Sequence, residues 1–182
     1  MPVNETFNTA VTPPSWALMD AVKINDTPAA ARLLGQGVNV DARDAMQNTA
    51  LIKAAINNNA ELVRLLIDNG ASINEKNKFG NSALALAACY GYTEVVRVLI
   101  EKGADLNERN IAGKTVDVFA EMNRHPETVQ LIREAVDSHQ RLAREKAEAE
   151  AAEKERMLRE AHIKKVQGLK ELAGKYKLTI KK

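Results

Sequence analysis

Cysteine is almost missing from the sequence. The single Cys89 excludes an intramolecular disulfide and gives no sign of an oxidising compartment. Histidine is sparse too: His125, His139 and His162 lie far apart, and none stands at metal-ligand spacing from Cys89. They read as turn and helix-surface residues, and no metal is expected. Aromatic residues make up only 4% of the chain, as expected of a core built from Ala, Leu, Ile and Val on closely packed helices. No apolar run approaches the roughly 18 residues of a membrane span. The N-terminal stretch MPVNETFNTAVTPPS has neither a basic nor an apolar segment of the secretory kind. The expectation is a soluble cytoplasmic protein, or one exported by a route that uses no such leader. No Walker sequence, GxGxxG or GxSxG occurs. No catalytic residue, cofactor site or metal site is therefore assigned, and the chain reads as non-enzymatic.

What is present is a period. Thr49, Ser82 and Thr115 are 33 positions apart, as are Gly37, Gly70 and Gly103, and Asp41, Asn74 and Asn107. Ala21, Ala54, Ala87 and Ala120 keep the same step. A fixed period of this length is the signature of stacked repeats. Within each unit the apolar spacing fits two short helices. Leu62, Val63, Leu65 and Leu66 lie on one helical face, and Val95, Val96, Val98 and Leu99 on another. First helices are predicted over Thr49 to Ile56 and Ser82 to Cys89, and second helices over Ala60 to Asp68 and Thr93 to Glu101. The second helices end at Gly70 and Gly103, which supply the left-handed cap. A first unit predicts a helix capped by Ser15 with Trp16, Ala17, Leu18, Ala21 and Val22 facing inward. Pro28 then opens a short second helix ending at Gly35 or Gly37.

These residues resemble the ankyrin repeat. TALIKAA, VRLLIDNGASIN and SALALAACYGYTEVVRVLIEKGADLN match it in register, and the resemblance covers roughly Ser15 to Val136. It implies an all-α ankyrin-repeat solenoid of helix-turn-helix units joined by hairpin-like finger loops, followed by a long charged helix. Residues 1–14 read as a flexible arm. Repeats fall at about 15–47, 48–80, 81–113 and 114–136, and 137–182 forms a charged, mostly helical extension. Two departures stand out. The family's Thr-Pro-Leu-His opening appears as TALI, SALA and TVDV, so hydrogen bonds made through that His must be absent or replaced. In the fourth repeat, strict register puts Asp117 where Leu51 and Leu84 lie. A buried unpaired carboxylate is costly, so the helix is expected to rotate or slip and leave Asp117 exposed. Asp41 and Asp44 read as solubility or capping residues in exposed loops.

The resemblance implies a partner protein bound on the concave side, at the finger tips and first-helix ends. Carried over by position, the tips are Ala45, Met46 and Asn48; Lys78, Phe79 and Asn81; and Ile111, Ala112 and Lys114. The helix ends are Ile56 and Asn57, Cys89 and Tyr90, and Met122 and Asn123. Met46, Phe79 and Ile111 would form an apolar ladder of the kind that marks an interface. The competing reading packs them down between fingers.

The net charge of +2 conceals a body of −3 over 1–136 and a tail of +5 over 137–182. In the tail, Glu150–Lys154 and Glu155–Arg159 stand at the spacing of a solvated helix. Between Leu142 and Met157 only alanines are apolar, which argues against a long coiled coil. A second reading gives Lys164, Lys165, Lys170, Lys175, Lys177, Lys181 and Lys182 to nucleic acid or an anionic membrane. A third uses Leu169, Ala173 and Tyr176 to cap the last repeat or to self-associate; otherwise a monomer is expected.

Overall fold

The computed structural model describes residues 14–175. The expected N-terminal arm up to residue 13, and the end KYKLTIKK from Tyr176 on with its strand-like reading, lie outside the described residues. The chain divides into two compact units, Met1–Val136 and Asp137–Lys182.

Three helix pairs and a fourth first-helix make up the repeats. They are α1 (Ser15–Lys23) with α2 (Thr27–Gly35), α3 (Ala50–Ile56) with α4 (Ala60–Asp68), α5 (Ala83–Tyr90) with α6 (Thr93–Glu101), and α7 (Val116–Met122). α8 runs as one helix over Pro126–Lys175. Its first turns take the place of the expected second helix Glu127 to Val136, and no break separates them from the extension. No strand occurs among the described residues; two isolated bridges, Arg43 with Thr49 and Arg109 with Thr115, close the first and third fingers.

The local rules explain the helix starts. Thr49 and Ser82 stand just outside their helices, and each side-chain oxygen accepts an orphan N–H, from Ile52 at 3.3 Å and from Ala85 at 3.1 Å. Asp26 and Asn59 cap α2 and α4 in the same way. Ser15 is not a cap: it is the first residue of α1, Pro14 holds the cap position, and no side chain bonds there. Pro28 is the second residue of α2 rather than the first, because Asp26 sets the start one residue earlier.

Stacking runs in columns 33 residues apart. Ala50, Ala83 and Val116 are fully buried, as are Ala54, Ala87 and Ala120. These small side chains let α5 sit closely between α3 and α7. Val63 and Val96 repeat the pattern on the second helices. No single repeat could bury its own apolar face, so each column spans the interfaces.

Two expectations are corrected. Trp16 is 67% exposed. α1 packs on α2 and α3 through Leu18, Ala21 and Val22, and Trp16 lies about 200° around the helix from Leu18. The slip expected in α7 does not occur either. Val116 and Ala120 keep the register of Ala83 and Ala87, and Asp117 stays half-buried where Leu84 lies one repeat earlier. The carboxylate is tolerated because the Thr115 hydroxyl donates to it at 2.5 Å. Among the described residues no further first-helix packs beyond α7 to seal it from water.

Candidate interaction surface

Each finger is folded on one Asx side chain. Asn77 Oδ1 accepts from the Phe79 and Asn81 amides at 3.0 and 3.1 Å, and Asn110 Oδ1 from Ala112 and Lys114 at 2.9 and 3.0 Å. Asp44 does the same for Met46 and Asn48 at 2.8 and 2.9 Å. Burial pushes Asp44 up, but it is outweighed by the hydrogen bonds from Asn48, Lys53 and Met46, which hold the carboxyl at about 2. Of the two roles expected of Asp44, solubility and capping, the structure gives capping. Asp41 is half-buried and accepts from the Ser72 amide at 3.0 Å and its hydroxyl at 2.5 Å. The sequence reading passed over the Asp44, Asn77, Asn110 series, although its 33-residue step was a readable signal.

Neighbouring repeats are linked from finger to finger. Lys78 N donates to Met46 O at 3.1 Å and Ile111 N to Phe79 O at 3.5 Å. Asn77 Nδ2 donates to Asn48 Oδ1 at 3.1 Å. Arg43 pairs with Glu75 and donates to Lys76 O at 2.9 Å; Lys76 stands 3.7 Å from Glu108 and donates to Arg109 O at 2.9 Å. Glu108 is buried, accepts from the Ser82 hydroxyl, and leaves its second oxygen without a hydrogen bond. Burial raises its pKa, opposed by Ser82 and Lys76. The helix turns are linked as well. Asn57 Nδ2 donates to Val22 O at 2.9 Å, and the His125 ring lies 3.2 Å from Cys89 O.

This lattice sets the exposure of the candidate residues. Met46, Phe79, Tyr90, Ile111 and Met122 are large apolar side chains left exposed. Lys78 and Asn123 are exposed too, while Ile56, Asn57, Asn81, Cys89 and Lys114 are half-buried. Asn48 is only 6% exposed; its side chain is taken up by Asp44 and Asn77, so it supports the tip rather than presenting itself. The fingers and helix ends meet on one side. Lys53 pairs with Asp44 at 3.0 Å, Lys114 Nζ reaches Met122 Sδ at 3.2 Å, and Asn123 Nδ2 reaches Cys89 Sγ at 3.4 Å. Lys78 Nζ lies 5.0 Å from the Phe79 ring centre, and Tyr90 stacks on Tyr92 at 5.5 Å. The bonding pattern also shows that Ile111 is the counterpart of Lys78; the counterpart of Phe79 is Ala112. Ile111 Cγ2 covers Gly80, where an added Cβ would come within 2.9 Å of it, yet the side chain stays 76% exposed. The apolar row therefore steps by one position at the third finger.

Among the described residues no group of three or more His, Cys, Asp or Glu is placed to hold a metal, and no helix is long and apolar enough to cross a membrane. A family model described as ankyrin repeats in three copies matches residues 18–110 and, again, 61–144. No curated protein sequence matches the chain. The two matches together span 18–144, well over half of the 182 residues, and take in all three fingers and every helix pair but the first residues of α1: the chain belongs to the ankyrin-repeat family.

Proposed function

We propose that the protein is a non-enzymatic module that holds a partner protein on its concave face, in an adaptor, inhibitor or effector-type role in the cytoplasm. Ankyrin repeats are in general protein–protein interaction modules. The observation that carries the reading is the set of large apolar side chains, Met46, Phe79, Tyr90, Ile111 and Met122, left open along fingers and helix ends that are bonded to one another. Exposed Met and aromatic side chains of this kind are the usual anchors of an interface. Cross-finger hydrogen bonds fix the backbone at Met46, Phe79 and Ile111, and α5 and α7 fix it at Tyr90 and Met122, so little ordering cost remains at binding. The half-buried Ile56, Asn57, Asn81, Cys89 and Lys114, with exposed Lys78 and Asn123, form the surround.

Affinity capture from native extract tests this with two baits, the full chain and a chain carrying Met46→Glu, Phe79→Glu and Tyr90→Glu. These positions are exposed, so circular dichroism of the two baits should coincide. The expected result is a protein retained by the first bait and weakened at least about a hundredfold on the second, as for the loss of hot-spot side chains. Equal retention by two folded baits would rule out the concave face.

A further inference from the structure

The finger row uses the same three contacts at each step, and at its last finger all three are vacant. At the first step Asp41 accepts the Ser72 amide, Arg43 takes the Glu75 carboxylate, and Met46 O accepts the Lys78 amide. At the second step Asn74 Oδ1 accepts the Asp105 amide at 2.9 Å, Lys76 faces Glu108, and Phe79 O accepts the Ile111 amide. Each incoming segment has one register: an amide three residues before a glutamate, the glutamate itself, and an amide three residues after it. The next set in the series is Asn107, Arg109 and Ala112. All three are exposed. Among the described residues the Asn107 side chain and Ala112 O have no hydrogen-bond partner, and Arg109 has no acidic one; its guanidinium donates only to Gly113 O of its own finger, at 2.9 Å. Beside them Ile111 is the most exposed large apolar side chain described.

The geometry points to a second binding edge, distinct from the concave row, on which Asn107, Arg109 and Ala112 O receive an extended, glutamate-bearing segment of a partner protein as a further finger. Two backbone amides and one carboxylate define the ligand, a short form of recognition by strand addition in which main-chain bonds give affinity and a charged pair gives register. The chemistry also argues against a second copy of the chain. Stacked head to tail, a copy would present its first finger, where Asn39 and Ala45 stand at the two amide positions but Ala42 takes the place of Glu75 and Glu108. Arg109 would then still lack its carboxylate.

The probe is the N-acetylated heptapeptide Asp-Leu-Asn-Glu-Arg-Asn-Ile, the sequence of the chain's own residues 105–111, which already fills such an edge once; the acetyl group keeps the first residue's nitrogen an amide. It is titrated into the 15N-labelled full chain to about 5 mM, enough to detect the millimolar affinity of a short unordered peptide. Amide shifts are expected at Asn107 to Gly113. Changing the peptide glutamate to Gln, or Arg109→Gln in the protein, should weaken binding about fivefold, the upper range for one partly exposed ion pair. Arg109 is exposed, and the dispersion of the amide spectrum reports whether the variant is folded. No shifts, shifts confined to the Met46 and Phe79 side, or equal binding of the two peptides would each overturn the proposal. So would concentration-dependent shifts of the same amides without peptide, which would assign the edge to a second copy. The readout is the third finger alone, so this proposal and the concave-face reading can fail separately.

Discussion

Gln47 holds φ at +61°, at the place where Gly80 and Gly113 turn the next two fingers at +73° and +72°. A side chain at this left-handed position costs about 1 kcal/mol or more, which glycine avoids. Gln47→Gly is therefore expected to stabilise the protein by roughly 0.5 kcal/mol once the entropy of the freer unfolded chain is charged against it. A denaturant midpoint that falls would show instead that the Gln47 side chain holds the tip, since the carbonyl that accepts from Arg43 at 3.3 Å stays in the variant. The opposite case is Gly91 at +72°, the counterpart of Asn25, Asn58 and Arg124, all of which are also left-handed. An added Cβ there would lie 2.4 Å from the His125 ring, so Gly91→Ala is predicted to cost well over 1 kcal/mol, read by the same midpoint. The glycine period visible in the sequence was Gly37, Gly70 and Gly103; these two left-handed series were not. That Gln47 takes the place of a glycine in one, that three side chains hold the turn beside a single glycine in the other, and that His125 needs the space at Gly91, followed only from the structure.

At the scale of the element, the finger is where pH should act, and its two titrating carboxyls pull in opposite directions. Asp44, held at about 2, binds its proton less readily in the folded chain than the ordinary value of 3.8 implies. Its contribution is complete above the ordinary value and disappears as pH falls towards the folded one. It is on the order of 1–2 kcal/mol, discounted for a side chain 24% exposed. Glu108 is the reverse. Its folded pKa is raised by burial, so the folded chain prefers the proton; no cost is felt below the ordinary glutamate value of 4.5, and stability falls as pH rises from there through the raised folded value. Glu108→Gln removes the buried charge while keeping an acceptor for Ser82. Urea melts between pH 4 and 8 should therefore show the falling limb flattened in Glu108→Gln, and melts below pH 4 should show the acid limb flattened in Asp44→Ala. A wild-type pH slope retained in either variant would place the titration elsewhere. Sequence patterning reached the elements themselves: the apolar periods, Thr49 and Ser82 at the helix starts and Gly70 and Gly103 beyond the ends all report short-range preferences. It gave the fingers as hairpin-like loops but not the bonds between them, because those join partners 26 to 33 residues apart, such as Ser82 with Glu108 and Arg43 with Lys76 O. A period gives the recurrence of a position, not what that position bonds to. Asp117 shows the same limit. Burial cost predicted a slip, but the columns of Ala50, Ala83 and Val116 fix the register more strongly, and a single hydroxyl suffices for a carboxylate that water still reaches.

For the stack as a whole, stability is a sum of repeats and of the interfaces between them, so where a cavity is cut should matter as much as what is removed. Leu18, Leu51 and Leu84 are equivalent by position and equally buried, each 1% exposed. Leu84 lies in α5, which packs on α3 and on α7; Leu18 lies in α1, whose one first-helix neighbour among the described residues is α3. Leu84→Ala should cost about 4 kcal/mol, near the upper end for a core leucine, because two interfaces lose contacts and neither can collapse without disturbing the other. Leu18→Ala should cost about 2 kcal/mol and act locally, freeing α1 and α2 while α3 to α7 keep their columns. Hydrogen exchange separates the cases. In Leu18→Ala the amides of 18–35 should lose protection while those of 83–99 keep it, whereas Leu84→Ala should lower protection from α3 through α7 together. Equal losses spread over the whole stack in both variants would mean that the finger-to-finger bonds couple all four repeats into one cooperative unit. Confinement to α1 and α2 would mean that those bonds fix geometry at the binding face and leave cooperativity to the apolar columns.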